Sequence, residues 1–349
     1  MKVERKIYVD FMKCCALMGV FCVHFIGVWG GWLNIPTKSH WRILALIFYF
    51  ISFCCVPIFF MATGILLNNR LFSWKNHYIK VIPIIVMYIL ASATCAIYKF
   101  FFRGESIEYL LKGVFSFRTA SYSWYIKYYL ILFLVIPLIN MILYKINRKH
   151  ILGLTFILVI LSSIGSYGRY NSFIEANQYL TFLFKVLKNI FPLLYYMIGY
   201  LLEEYRERIK KWKNNELLII TTLFLVGNAL YYHMSNYGEG VDLIPNGYGT
   251  WNIIVISILV AILTIRFEKE LTLKSRKILI IVSNSTLIAY LVSEIFDNIA
   301  SAVFRIRLPF NLLFIFPWVL FVAVLSISIS IIETYISKKI SNKIASVFK

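Results

Sequence analysis

The sequence predicts an all-α, polytopic integral membrane protein: about ten transmembrane helices in a single domain, residues 1–349, with both termini cytoplasmic. Three observations predict it. Hydrophobic residues make up 60% of the chain and mean hydropathy is +0.76, more apolar surface than a soluble core of this size needs. The apolar residues fall in runs of about 17–25, long enough to cross a hydrocarbon layer of about 30 Å. The charge lies between the runs. With the N-terminus inside, 24 of the 36 Lys and Arg fall in inner segments and 10 in outer segments and outer span ends, as the positive-inside rule requires. The net charge of +20 is therefore topology, and nucleic acid is not a partner.

In chain order, MKVERKIYVD is basic, precedes an apolar run and has no small-residue cleavage site after it, so span 1 (8–30) reads as uncleaved. Span 2 (42–67) contains VPIFFMATGILL, and the basic stretch NNRLFSWKNHYIK (68–80) leads into span 3 (81–102). Loop 103–123 is the longest, and Ile107–Phe115 reads as a short interfacial helix. Span 4 opens with SWYIKYYL and runs to about Tyr144. Spans 5 (151–166) and 6 (179–202) follow, then the most charged segment, EEYRERIKKWKNN (203–215), which reads as a solvated face. Span 7 (217–234), a Gly-rich loop, and spans 8 (251–265), 9 (278–297) and 10 (309–334) complete the chain, with a basic amphipathic tail.

Six cysteines (Cys14, Cys15, Cys22, Cys54, Cys55, Cys95) all fall in spans, none at zinc spacing, so neither disulfides nor a metal site is expected. A Gly-rich phosphate loop, a His-rich metal box, a paired-carboxylate loop and a GxSxG elbow are all absent from the sequence. That argues against most NTP-driven pumps and many soluble enzyme mechanisms.

The chemistry concentrates in Tyr8–Phe25, YVDFMKCCALMGVFCVHF. Lys13 and His24 are eleven residues apart, so on a helix they differ by about 20° and rise roughly 16 Å, with Asp10 close to the same stripe. One reading is structural: Lys13 snorkels and His24 bonds a neighbouring helix. The other is functional, because ionisable groups at membrane depth mark sites. Lys185, Lys188, Glu294 and Asp297 also lie at depth, and opposite charges there suggest pairing. They form either a structural ion pair or the lining of a hydrated cavity, with Trp124 and Lys127 at its mouth and His24 at its floor. Such a lining would suit a sugar-like ligand. Arg70, Lys75, His77 and Lys80 cluster just before span 3, as bare topology or as point charges for a phosphorylated ligand.

In this order the motifs resemble the type 3 membrane acyltransferases, whose bacterial members O-acetylate cell-surface glycans. That family's first span has an aliphatic-Asp pair, a cation, ten residues and a His, matched by Val9-Asp10, Lys13 and His24. Its proline-aromatic-small-Gly motif resembles Val56–Gly64, and its RxxRxxP resembles His77, Lys80 and Pro83, with His in place of the first Arg. Its Trp-aromatic-Leu resembles Trp124-Tyr125-Ile126, and its aromatic-x-x-Gly-Tyr resembles Tyr196–Tyr200. Near the end the family's Tyr-Leu-x-His reads Tyr290-Leu291-Val292-Ser293 here, followed by Glu294.

The resemblance implies a multi-pass protein of the bacterial cytoplasmic membrane. It implies acyl-CoA, most simply acetyl-CoA, as co-substrate with no resident cofactor, and a glycan or lipid-linked glycan as acceptor. It implies His24 as catalytic base, with Lys13 and Asp10 beside it. Arg70, His77 and Lys80 would bind the donor, and Trp124, Lys127, Tyr290 and Glu294 the acceptor. A transporter or flippase of an envelope lipid or polysaccharide is the rival. It predicts paired broken helices and an inverted repeat, and neither is visible in the sequence.

Overall fold

The computed structural model describes residues 5–26, 35–36, 38–67, 77–167, 177–235, 247–267, 271–304 and 312–347. Among them there is no strand. Nine helical segments are long and apolar enough to cross a membrane, and a tenth apolar helix, Trp251–Ile265, has 15 residues. At 1.5 Å per residue that tenth helix is roughly 22 Å long, short of the usual span. In their described residues all ten predicted spans are therefore helical, one of them below spanning length. The described helices group into two compact units.

The first unit comprises residues 1–69, 142–270 and 308–312. Its helices are α1 (Ile7–His24), α2 (Trp41–Phe53) and α3 (Cys55–Leu67). The second unit, residues 70–141, 271–307 and 313–349, contributes α4 (Val81–Arg103), α5 (Ile107–Phe115) and α6 (Trp124–Lys145), whose last residues return to the first unit. The first unit continues with α7 (Arg148–Tyr167), α8 (Gln178–Lys188), α9 (Phe191–Glu204), α10 (Arg206–Ile209), α11 (Asn214–Ser235) and α12 (Trp251–Ile265). The second ends with α13 (Leu273–Phe304) and α14 (Ile315–Val347). Both of these run past the predicted spans 278–297 and 309–334. Backbone hydrogen bonding carries each helix into its polar flank, which a hydropathy boundary does not register.

In the first unit two spans are each built from two helices. Cys54 separates α2 from α3, and Asn189–Ile190 separates α8 from α9, with Pro57 and Pro192 in the first turns that follow. A proline there has no helical N–H to lose. The helices after these kinks, α3 and α9, cross at reciprocal glycines. A Cβ on Gly64 would lie 2.2 Å from the Tyr196 carbonyl oxygen, and one on Gly199 would lie 2.1 Å from that of Met61. Between membrane helices, where lipid is as apolar as leucine, such close backbone approach is a main source of attraction. The Val56–Gly64 and Tyr196–Tyr200 motifs thus form one contact.

In the second unit α13 and α14 are packed against each other and against α4. Gly104, at φ +67°, ends α4 in the left-handed conformation. Ser106 then starts α5 by accepting the Tyr109 N–H. The interfacial helix has the bounds read from sequence. It is tied back by Tyr88 Oη donating to the Val114 carbonyl (2.6 Å) and Thr119 Oγ1 donating to that of Leu110 (2.6 Å). Phe117 follows at φ +57°, a strained conformation for an aromatic residue. Its ring stacks on Tyr88 with centroids 4.7 Å apart, and its carbonyl accepts from Ser123 Oγ at 2.6 Å.

Candidate active site

In the first unit the site is built on α1, one unbroken helix from Ile7 to His24. The predicted spacing therefore holds: Lys13 and His24 lie within about 20° of each other and roughly 16 Å apart along the axis. Val9, Met12, Ala16 and Val20 are buried, whereas Lys13 and His24 are half-buried. Asp10 is buried and accepts from two of the guanidinium nitrogens of Arg5, Nε at 2.7 Å and Nη2 at 2.8 Å.

The start of α1 is stapled to the far ends of α3 and α9. Lys6 Nζ donates to the Ile65 carbonyl at 3.1 Å and to Glu203 Oε1 at 2.5 Å. Tyr8 Oη donates to Glu203 Oε2, and the Arg206 guanidinium lies 4.2 Å from the centre of the Tyr8 ring. This corrects the reading of 203–215 as a solvated face at its first residues, while 211–215 are exposed as expected. Glu207 is exposed, but Glu203 and Glu204 are mostly covered, Glu204 pairing with Arg148 at 2.9 Å. Alternating charge signs do not reveal which carboxylates meet a buried helix end.

Sequence reasoning also passed over Arg42, which had counted only as a positive charge at a span end. It is 1% exposed, and Nη1 donates to the Ile35 carbonyl at 2.9 Å. His233, in the last turn of α11, is buried with its ring 6.3 Å from that of His40.

In the second unit four of the named residues gather around a 3-10 turn, Ser121–Ser123, that opens into α6. Glu294 pairs with Lys99 at 2.9 Å, and both side chains are 6% exposed. Glu294 Oε2 accepts from the Ser121 backbone N–H and Oε1 from Ser121 Oγ, each at 2.6 Å. One turn on, Asp297 accepts from Tyr122 Oη (2.9 Å) and from Trp318 Nε1 (3.1 Å). The expected buried pairing exists, but the cation facing Glu294 is Lys99. Lys185 and Lys188 lie in the last turn of α8, in the first unit. Lys99 was legible by the same rule, a lone cation inside an apolar run.

Tyr290 is buried, its ring 6.0 Å from Tyr122 and 5.6 Å from Tyr125. Trp124 is half-buried and meets Tyr125 and Tyr128 edge-on. Lys127 is exposed, with its ammonium 5.8 Å from the centre of the Phe117 ring. Tyr125, Tyr129 and Phe133, four residues apart, form a ladder of rings down α6.

That ladder ends on His77. Its ring stacks on Phe133 at 4.3 Å, and Nε2 donates to the Phe133 carbonyl at 2.7 Å. Burial, together with the charge of nearby Lys80, pushes the imidazole below its ordinary 6.5. A neutral His77 adds no charge for a phosphate, so at this motif the charge rests on Lys80, which is exposed. Arg70 and Lys75 lie outside the described residues. Among the described residues no group of His, Cys, Asp or Glu could hold a metal ion, and none of the six cysteines is in a disulfide.

Chemically, the first unit offers a half-buried imidazole in an apolar helix, a group able to take a proton from a hydroxyl. The second offers aromatic faces and the exposed Lys127 beside a fixed polar clamp. Residues 6–333 match the model of the acyltransferase 3 family, described as an acyltransferase domain. No curated protein and no solved structure matches the chain.

Proposed function

Because the chain belongs to the acyltransferase 3 family, we propose that it transfers an acetyl group from acetyl-CoA to a hydroxyl of a cell-envelope glycan or its lipid-linked precursor. On this proposal it works in a bacterial cytoplasmic membrane with both termini cytoplasmic. The observation that carries the reading is the aligned Lys13–His24 pair on unbroken α1, in a chain with nine long apolar helices among its described residues.

His24, neutral, takes the proton as the acceptor oxygen attacks the thioester carbonyl. The tetrahedral intermediate collapses with cleavage of the carbon–sulfur bond, and the imidazolium returns its proton to the departing thiolate. Acetate is thereby esterified to the acceptor and the coenzyme leaves as free thiol. Lys13, with Asp10 held by Arg5 one turn away, and Lys80 supply positive charge for donor phosphates. Trp124, half-buried, offers its aromatic face to the sugar.

The test is transfer of label from acetyl-CoA to envelope glycan in membranes carrying wild-type or His24→Ala protein at matched levels. Label reaching glycan with wild type alone is the expected result. Full activity in His24→Ala would remove His24 from the mechanism. Absence of transfer by wild type with any acyl donor would favour the transporter, whose paired broken helices have a counterpart in the kinks at Cys54 and Asn189–Ile190.

A further inference from the structure

An apolar groove of about 810 Å³ runs between α4 and α5, within the usual size range for small-ligand sites, ~300–1,000 Å³. Its walls include Ile89, Ala93, Ala96 and Ile97 from α4, and Leu111 and Phe115 from α5. Ile97, Leu111 and Phe115 are all more than half exposed, so the groove is open to the hydrocarbon that surrounds membrane helices. The polar side chains of α5 take no part in the lining: Glu108 and Lys112 pair with each other at 2.5 Å and are exposed.

Two features distinguish the groove from a bare lipid-facing surface. First, it is preformed. Tyr88 and Phe117 both line it, stacked on each other, with Tyr88 bonded to the α5 backbone and Phe117 held at a strained φ of +57°. Second, a cation stands beside one of its walls. The Lys127 ammonium lies 5.8 Å from the Phe117 ring centre, and Lys127 follows Trp124 by one helical turn.

We propose that this groove holds the hydrocarbon tail of a lipid-linked glycan acceptor, with the lipid's phosphate at Lys127. The occupant's identity rests on the acyltransferase reading; the site itself rests on the groove and the cation beside its Phe117 wall. One groove suits one long chain, and a diacyl lipid would leave its second chain outside. The half-buried ring of Trp124, one turn before Lys127, then lies on the sugar side of the phosphate, and the tail holds the acceptor in place.

The test is retention of a tritiated long-chain polyprenyl phosphate by the purified full chain in detergent, with phosphatidylglycerol as competitor. Ala93→Trp fills the groove and should weaken retention by about tenfold or more, the loss expected when two methylene groups leave an apolar site. Leu111→Gln, which adds no bulk, should weaken it in the same direction. Lys127→Gln should weaken it by about three- to tenfold and flatten its salt dependence. Leu138→Trp, on an exposed part of α6 outside the groove, should bind as wild type does.

Wild-type retention in both Ala93→Trp and Leu111→Gln would overturn the site. Competition by an equal concentration of phosphatidylglycerol would overturn the assignment to the acceptor's tail. Binding is read without turnover, so the two readings fail separately. A chain that retains the probe but transfers no acyl group keeps the groove and loses the enzyme. One that acetylates free glycan but does not retain the probe keeps the enzyme and loses the groove.

Discussion

Lys99→Ala should destabilise the second unit through the charge it leaves behind. Lys99 and Glu294 are each 6% exposed and 2.9 Å apart, so solvent screening discounts the pair very little. Removing the ammonium leaves a buried carboxylate with Ser121 N–H and Oγ as its remaining donors. Breaking a buried pair from one side costs about 3–5 kcal/mol, mostly the penalty of the orphaned charge. At about 2 °C per kcal/mol for a chain of this size, the unfolding midpoint should fall by about 6–10 °C. The double variant Lys99→Met/Glu294→Leu removes both charges and should regain at least about half of that loss, because apolar replacement of a buried pair is often near neutral. The assay is thermal unfolding of the purified chain in detergent, run on wild type, both single variants and the double. A drop under 2 °C in Lys99→Ala, with no coupling in the cycle, would refute the argument. It would mean that water reaches Glu294 despite its burial.

Gly199→Ala should cost about 1–3 kcal/mol in the first unit, since the new Cβ meets the Met61 backbone and no flexible side chain can yield; unfolding against wild type checks it, and an unchanged midpoint would show that α3 and α9 can slide apart. For His77 the sign follows from a pKa lowered in the fold. Its contribution to stability is full above the unfolded value of about 6.5 and is lost as pH falls from there through the lowered folded value. The midpoint should therefore drop between pH 7.5 and 5.5, and His77→Gln, which can still donate to the Phe133 carbonyl, should show a shallower drop. Equal slopes in the two proteins would remove His77 as the cause.

What the sequence determined by itself was whatever depends on neighbours along the chain. A helix has a fixed period, so eleven residues put Lys13 and His24 on one face before any packing is known. Apolar run length located every span, including the short Trp251–Ile265, and the short helix Ile107–Phe115 was legible within its loop. The motif order pointed to the family that residues 6–333 match.

Only the tertiary structure decided which distant groups meet. Charge depth called for a partner to Glu294, yet choosing Lys99 over Lys185 or Lys188 required the packing of α4 against α13. Glu203 looked solvated until α1 arrived with Lys6 and Tyr8, and the two glycine motifs proved to be two sides of one crossing. The groove beside Lys127 exists because Gly104 and Phe117, both at positive φ, fold α5 back along α4. Periodicity and hydropathy are properties of one helix, whereas ion pairs, crossings and grooves depend on how helices approach one another, which local pattern leaves open.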